Sequence, residues 1–228
     1  MRWRRVAGVG YPMVKIPWIR TMIRYFEPTD LEGRLRALSP EARIAFGALN
    51  LERALPNFFG FAADTGAPGG AILRGALAKV WGVLEGVDPA VFAGMTASAC
   101  EPYAPNTEDS ASVYTSAALD AVTIACNVLE YLESPRTRLL VESASLRCDT
   151  IDLFLQHVLP LEVSSPDFEV RLLEHPLMQE ELGFQQADLA FLGKSGPHGP
   201  RWHSVLGRSL ELGYSNLRMT ADSARKHA

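Results

Sequence analysis

Between Pro68 and Glu85, the apolar residues Ile72, Leu73, Ala76, Leu77, Val80, Trp81 and Leu84 recur at steps of three and four. That spacing puts them on one stripe of an α-helix, which must be buried against other elements. No segment of the chain alternates apolar and polar residues cleanly enough to demand a strand. No repeat of fixed period is present either. The sequence therefore predicts an all-α fold.

Other helices are marked by their ends. Thr29 followed by Glu32 has capping-box spacing, which predicts a short helix to about Leu38. Ser39-Pro40-Glu41 offers an N-cap serine, a proline at the first helical position and an acid near the positive helix end. Ile44, Phe46, Leu49, Leu51 and Leu55 continue that helix until Pro56, and Asn57 to Ala63 reads as a separate turn closed by Asp64-Thr65-Gly66. Asp88 to Cys100 is weaker and rich in small residues, and Pro102 to Asp109 reads as a loop.

The centre of the fold should lie further on. Ser112 to Glu133 is apolar on more than one side, as a helix buried between others would be. Ser134-Pro135 then starts a second long helix, carrying Leu139, Leu146 and Leu153 at seven-residue steps as far as Val158. Two long helices joined so tightly pack antiparallel. After Pro160 and Pro166 come two helical segments, Asp167 to Glu174 and Pro176 to Leu192, then a Gly and Pro loop to Pro200 and one more helix over Trp202 to Leu212. The expectation is one compact domain over 29–220, with about seven to nine helices, two long central antiparallel ones among them, and a frayed tail over 221–228.

Composition bounds the function. Of 228 residues 47% are hydrophobic and 21% charged, the balance of a chain that folds. A net charge of -4 with no basic cluster gives no general attraction to phosphate backbones, so nucleic acid is excluded as a partner class. Cys100, Cys126 and Cys148 are odd in number and lack the paired spacing of a zinc or redox motif, which suits core thiols in a reducing compartment. No stretch approaches the roughly 20 apolar residues that span a bilayer. A cytoplasmic location follows as the expectation, with no membrane partner.

The first 28 residues differ from the rest. From Met1 to Tyr25 every charge is positive, and Lys15 with Pro12 and Pro17 interrupts any apolar centre that a secretory signal would need. The segment reads either as a basic arm for an acidic surface or as an extension ahead of a chain that begins at Met22.

Several motifs occur together in a fixed order. They are the Leu31, Leu35, Leu38 ladder, Arg43-Ile44-Ala45-Phe46, Glu52-Arg53, Pro56-Asn57-Phe58, Phe61, Thr65-Gly66, Arg74 and Val80-Trp81. Asp120-Ala121, the polar helix from Glu142 to Asp152, Pro176 with Glu181 and Gln185, and Ser215-Asn216-Leu217 follow. In this series the chain resembles the YjaG-like family of bacterial proteins, domain of unknown function 416, over roughly Leu31 to Leu217. The resemblance implies an all-helical compact domain in the bacterial cytoplasm, and it implies no reaction. The basic N-terminal segment and the Ser195 to Pro200 insertion depart from it.

Candidate chemistry is sparse. His157, His175, His198 and His203 lack the i, i+3 or i+4 pairing of helix-borne metal ligands, so no metal and no cofactor is expected. No Gly-x-Ser-x-Gly elbow is present, and a thiol inside a helix is inert, so no catalytic residue is assigned. Asp120 lies in an apolar helix with Asn127 seven residues later on the same face, and Asp149 and Asp152 flank Thr150 on the next helix. Antiparallel packing of those helices would bring the acids to one polar pocket, whereas the alternative is that each is a satisfied core group. Glu52, Arg53 and Arg74 read as containing an ion pair that ties the first helices together, or else an anion clamp. With a well-specified core and no catalytic constellation, the chain reads as a non-catalytic binding or protein-interaction module, with an unknown protein partner or small ligand and a possible homo-oligomer. The alternatives are a small-molecule enzyme using Asp120 with Asp149 or Asp152, and a toxin-neutralising partner protein.

Overall fold

The structure is a computed structural model and describes residues 24–158, 166–194 and 216–217. Eight α-helices are found among these residues, and no strand: α1 (Pro28–Arg36), α2 (Pro40–Thr65), α3 (Gly70–Glu85), α4 (Ala97–Cys100), α5 (Thr115–Glu133), α6 (Thr137–Val158), α7 (Phe168–Glu174) and α8 (Pro176–Lys194). Short 3-10 turns occupy Pro89–Phe92 and Glu101–Tyr103. The all-helical expectation holds. The basic segment up to residue 23, the loop and helix expected between 195 and 212, and the tail over 221–228 lie outside the described residues.

The start of α1 differs from the capping box. Pro28 takes the first helical position, Glu27 is the N-cap without a side-chain bond, and Thr29 already lies inside the first turn. Glu32 turns the other way, accepting a 2.6 Å hydrogen bond from Arg36 Nη2. Ser39 does cap α2, its Oγ accepting from the Ala42 N–H at 3.2 Å.

Helix α2 does not stop at Pro56 but continues to Thr65. A proline inside a helix costs about 3 kcal/mol. Here Phe58 is fully buried and Phe61 is 5% exposed, and burying each large side chain returns about 1.5–3 kcal/mol, so packing outweighs the break. At Gly66 the chain turns left-handed with φ 74° and its N–H caps the Ala62 carbonyl at 2.8 Å.

Ser134-Pro135 ends α5 rather than starting α6. Ser134 is extended, at φ -140°, and its N–H closes on the Glu130 carbonyl at 2.8 Å. Three residues then join two long helices, so they run antiparallel: Asp120 and Thr150, fifteen positions either side of Pro135, hydrogen-bond to each other. The expected central pair is thus present, and α2 packs against both of its helices. A Cβ on Gly47 of α2 would meet the Leu140 side chain of α6 at 3.1 Å and the Val128 side chain of α5 at 3.2 Å, so both side chains pack directly onto the α2 backbone there.

The leucine stripe of α6 also departs from expectation. Seven residues turn an α-helix about 20° short of two full turns, so a seven-residue ladder drifts around a straight helix. Leu139 is buried, Leu146 half-buried and Leu153 is 47% exposed. The inward face is Leu140, Ala144, Arg147, Ile151 and Leu155. One core cluster fills the space between α2, α3, α5 and the first half of α6, and a second joins Ile151 and Leu155 to Leu172, Met178, Leu182 and Leu217.

Candidate functional site

Three helices each bury a polar stripe on one another. Asn50, Arg53 and Asn57 come from α2, Ser143 and Arg147 from α6, and Glu181, Gln185 and Asp188 from α8. Arg53 pairs with Asp188 and Arg147 with Glu181, and no side chain of either pair exposes more than 4%. Gln185 Nε2 donates to the Ala144 carbonyl at 3.0 Å and to Glu181 Oε1 at 2.8 Å. Asn216 closes the group, accepting from Asn57 Nδ2 at 2.9 Å and donating to the Arg147 carbonyl at 3.0 Å. Burial pulls the Arg147 guanidinium below its ordinary value, and the Glu181 carboxylate opposes that pull.

The ion pair expected among Glu52, Arg53 and Arg74 is therefore made elsewhere, from Arg53 to α8. Glu52 accepts a 3.2 Å hydrogen bond from the Trp81 indole N–H, which ties α2 to α3. Arg74 is exposed and lies 5.0 Å over the Phe59 ring. These three residues form no common anion clamp: their side chains serve three different contacts. Arg147, Glu181 and Asp188 escaped the sequence reading as charged partners. Their signal is a set of polar residues at steps of three and four, 50/53/57, 143/147 and 181/185/188, inside otherwise apolar helix faces.

The acids divide differently. Asp120 is 8% exposed and its Oδ2 accepts a 2.7 Å hydrogen bond from Thr150 Oγ1. Burial pushes its carboxyl up to about 6; the Thr150 bond opposes this, and the like charge of Asp149 adds to it. Asp149 is exposed on α6 and is itself raised, first by desolvation and then by Asp152. Asp152 accepts from Gln156 Nε2 at 2.9 Å on the protein surface. Asn127, half-buried two turns along α5, makes no hydrogen bond to Asp120. The structure thus brings Asp120 and Asp149 to the same α5/α6 seam but gives each its own surroundings.

At the outer end of that seam lies a half-open recess of about 350 Å³. Val113, Ala117, Leu153 and Phe154 give it an apolar wall. Ser112, Ser116, Thr150, Gln156 and His157 supply hydroxyl, amide and imidazole groups around it. Thr150 faces the recess and holds Asp120 behind it, one turn along α5 from Ser116 and Ala117. Elsewhere the thiols are muted: burial pushes Cys126 up to about 11 and Cys148 higher still. Among the described residues no three His, Cys, Asp or Glu side chains come together as a metal site, and no helix is long and apolar enough to cross a membrane.

The model of the family described as "Protein of unknown function (DUF416)" matches residues 30–217. The chain belongs to this family. A crystal structure of a DUF416 family protein from Shewanella baltica OS155 superposes with a TM-score of 0.72 at 20% identity, covering 83% of this chain and 98% of that one. At that identity the likeness is one of fold. No curated protein matches the chain. The DUF416 match ends at Leu217, the residue beside Asn216 that enters the second core cluster.

Proposed function

We propose that this DUF416 protein is a non-catalytic binding module of the bacterial cytoplasm, and that its ligand or partner docks in the recess between the start of α5 and the end of α6. The observation that carries the reading is Leu153, 47% exposed on the wall of that recess. A large apolar side chain left open in a concave site with polar groups around it is the arrangement of a binding pocket, and about 350 Å³ falls within the usual range of ligand sites. The buried charges of α2, α6 and α8 support the same reading, because they face one another and hold α6, which supplies one wall of the recess, against α2 and α8.

A second reading, a small-molecule enzyme, rests on Asp120, whose carboxyl is pushed up to about 6 by burial and could move a proton. Affinity capture of the full chain from the cytoplasm of its host separates the two, with mass spectrometry of bound proteins and small molecules for wild type and Leu153→Gln. The binding reading expects a stoichiometric component that Leu153→Gln loses while keeping its circular dichroism and Tm. An identical retained set for both proteins overturns it. A metabolite that wild type retains and also converts, and that Asp120→Asn retains unconverted, establishes the enzyme instead.

A further inference from the structure

A second recess, of about 340 Å³, opens between the end of α2 and the segment that leads to α5. Phe61, Thr65 and Gly66 line it from α2 and its cap, and Tyr103 and Asp109 from the later segment. It shares no lining residue with the α5/α6 recess. Gly69 sets the aromatic part of the wall. At φ 115° it holds a backbone that favours glycine, and a Cβ there would lie 2.6 Å from Cδ1 of Tyr103, so the ring packs against a position without a side chain. Pro102 and Pro105, on the wall themselves, restrict the backbone on both sides of the tyrosine.

The charge of this wall has one sign. Asp109 is the one charged residue that lines it. The C-terminal end of α2, Thr65 and Gly66, borders the same opening, and the last carbonyls of a 26-residue helix carry partial negative charge. Gly69, at the positive start of α3, touches Tyr103 but does not line the recess, and Arg74 is engaged over the Phe59 ring. Carboxylate and helix end therefore both favour a cation.

The hydrogen bonding of the wall narrows the kind of cation. Asn106 Nδ2 donates to Asp109 Oδ2 at 2.8 Å, and Asn106 Oδ1 accepts from the Glu108 N–H at 3.2 Å. Thr65 Oγ1 donates to the Phe61 carbonyl at 2.8 Å and accepts from the Ala67 N–H at 3.3 Å. A primary ammonium is strongly hydrated and brings three donors, each needing an acceptor, whereas these polar groups are already bonded within the wall. A quaternary ammonium has no N–H to satisfy, and aromatic rings attract it through their negative faces. We propose that this recess binds the quaternary ammonium group of a small organic cation, set among the Tyr103 ring, the Asp109 carboxylate and the C-terminal end of α2. The proposal goes beyond the binding reading of the α5/α6 recess and does not depend on it.

The full chain is titrated with choline chloride, with its neutral carbon isostere 3,3-dimethyl-1-butanol and with ethanolamine hydrochloride, followed by NMR of the Tyr103 ring and of the Ala67 and Ala104 methyl groups, all on the wall. Choline is expected to bind about fivefold or more tightly than the neutral alcohol, the scale of one cation–π contact at an exposed site, and more tightly than ethanolamine. Tyr103→Leu keeps an apolar side chain and is expected to bring choline down to the level of the alcohol, and the wild-type comparison stands even if that variant folds poorly. Equal affinity for choline and the alcohol overturns the proposal, and so does ethanolamine binding as tightly as choline. Shifts confined to Val113 and Leu153 put the cation in the α5/α6 recess and overturn it too, as does the absence of any shift.

Discussion

Arg147 of α6 and Glu181 of α8 form an ion pair in which the two side chains expose 1% and 0% of their surface. Around them Asn50, Gln185 and Asn216 supply further hydrogen bonds, so helices far apart in sequence are held by one polar group. Removing one member leaves the other charged and dry.

Arg147→Met should therefore cost about 3–5 kcal/mol, because Glu181 stays buried without its cation. Replacing both, as Arg147→Met with Glu181→Leu, should recover most of that loss, since well-packed apolar side chains often match a buried pair. Urea unfolding of the two variants beside wild type measures the difference, and a double variant no better than the single one would contradict it.

Asp120 makes stability depend on pH in a direction opposite to most acids. Its folded carboxyl titrates at about 6, above the unfolded value near 3.8, so the folded protein holds the proton more tightly. Its contribution is greatest below pH 4 and is lost as pH rises through 6, a swing of about 3 kcal/mol at most. Asp120→Asn lacks that loss, so its stability relative to wild type should increase between pH 4 and 7 in parallel denaturation series. A difference that stays flat, or shrinks, would contradict the account.

Gly69 is the N-cap of α3 at φ 115°, and a Cβ there would lie 2.6 Å from the Tyr103 ring. Gly69→Ala should cost about 1–3 kcal/mol through backbone strain, with displacement of Tyr103 added to it. Tyr103→Ala introduced with it should relieve the steric part but not the strain, which thermal unfolding of the single and double variants resolves.

The fold was legible where one face of a helix carries the pattern. The Ile72 to Leu84 stripe and the two-sided Ser112 to Glu133 run led to α3 and α5, and the tight link after them to the antiparallel α5/α6 pair. Local signals misled where packing decides. Pro56 reads as a stop, yet it is carried through by the buried Phe58 and Phe61. Ser134-Pro135 has the same letters as Ser39-Pro40, but an extended Ser134 closes one helix instead of opening the next. The charge pairing was not legible at all: Arg53 and Asp188 are 135 positions apart, and no spacing rule joins residues across that distance. Asp120 stood out because an acid in an apolar run is conspicuous, whereas its Thr150 partner follows only from the helix register.

The most direct test of the binding site is methyl NMR of the full chain as the captured partner or metabolite is added. The account predicts shifts centred on Val113, Ala117 and Leu153, abolished by Leu153→Gln. Shifts centred instead on Val87 and Val91, which are 36% and 70% exposed beyond the end of α3, would place the binding face elsewhere and contradict the account.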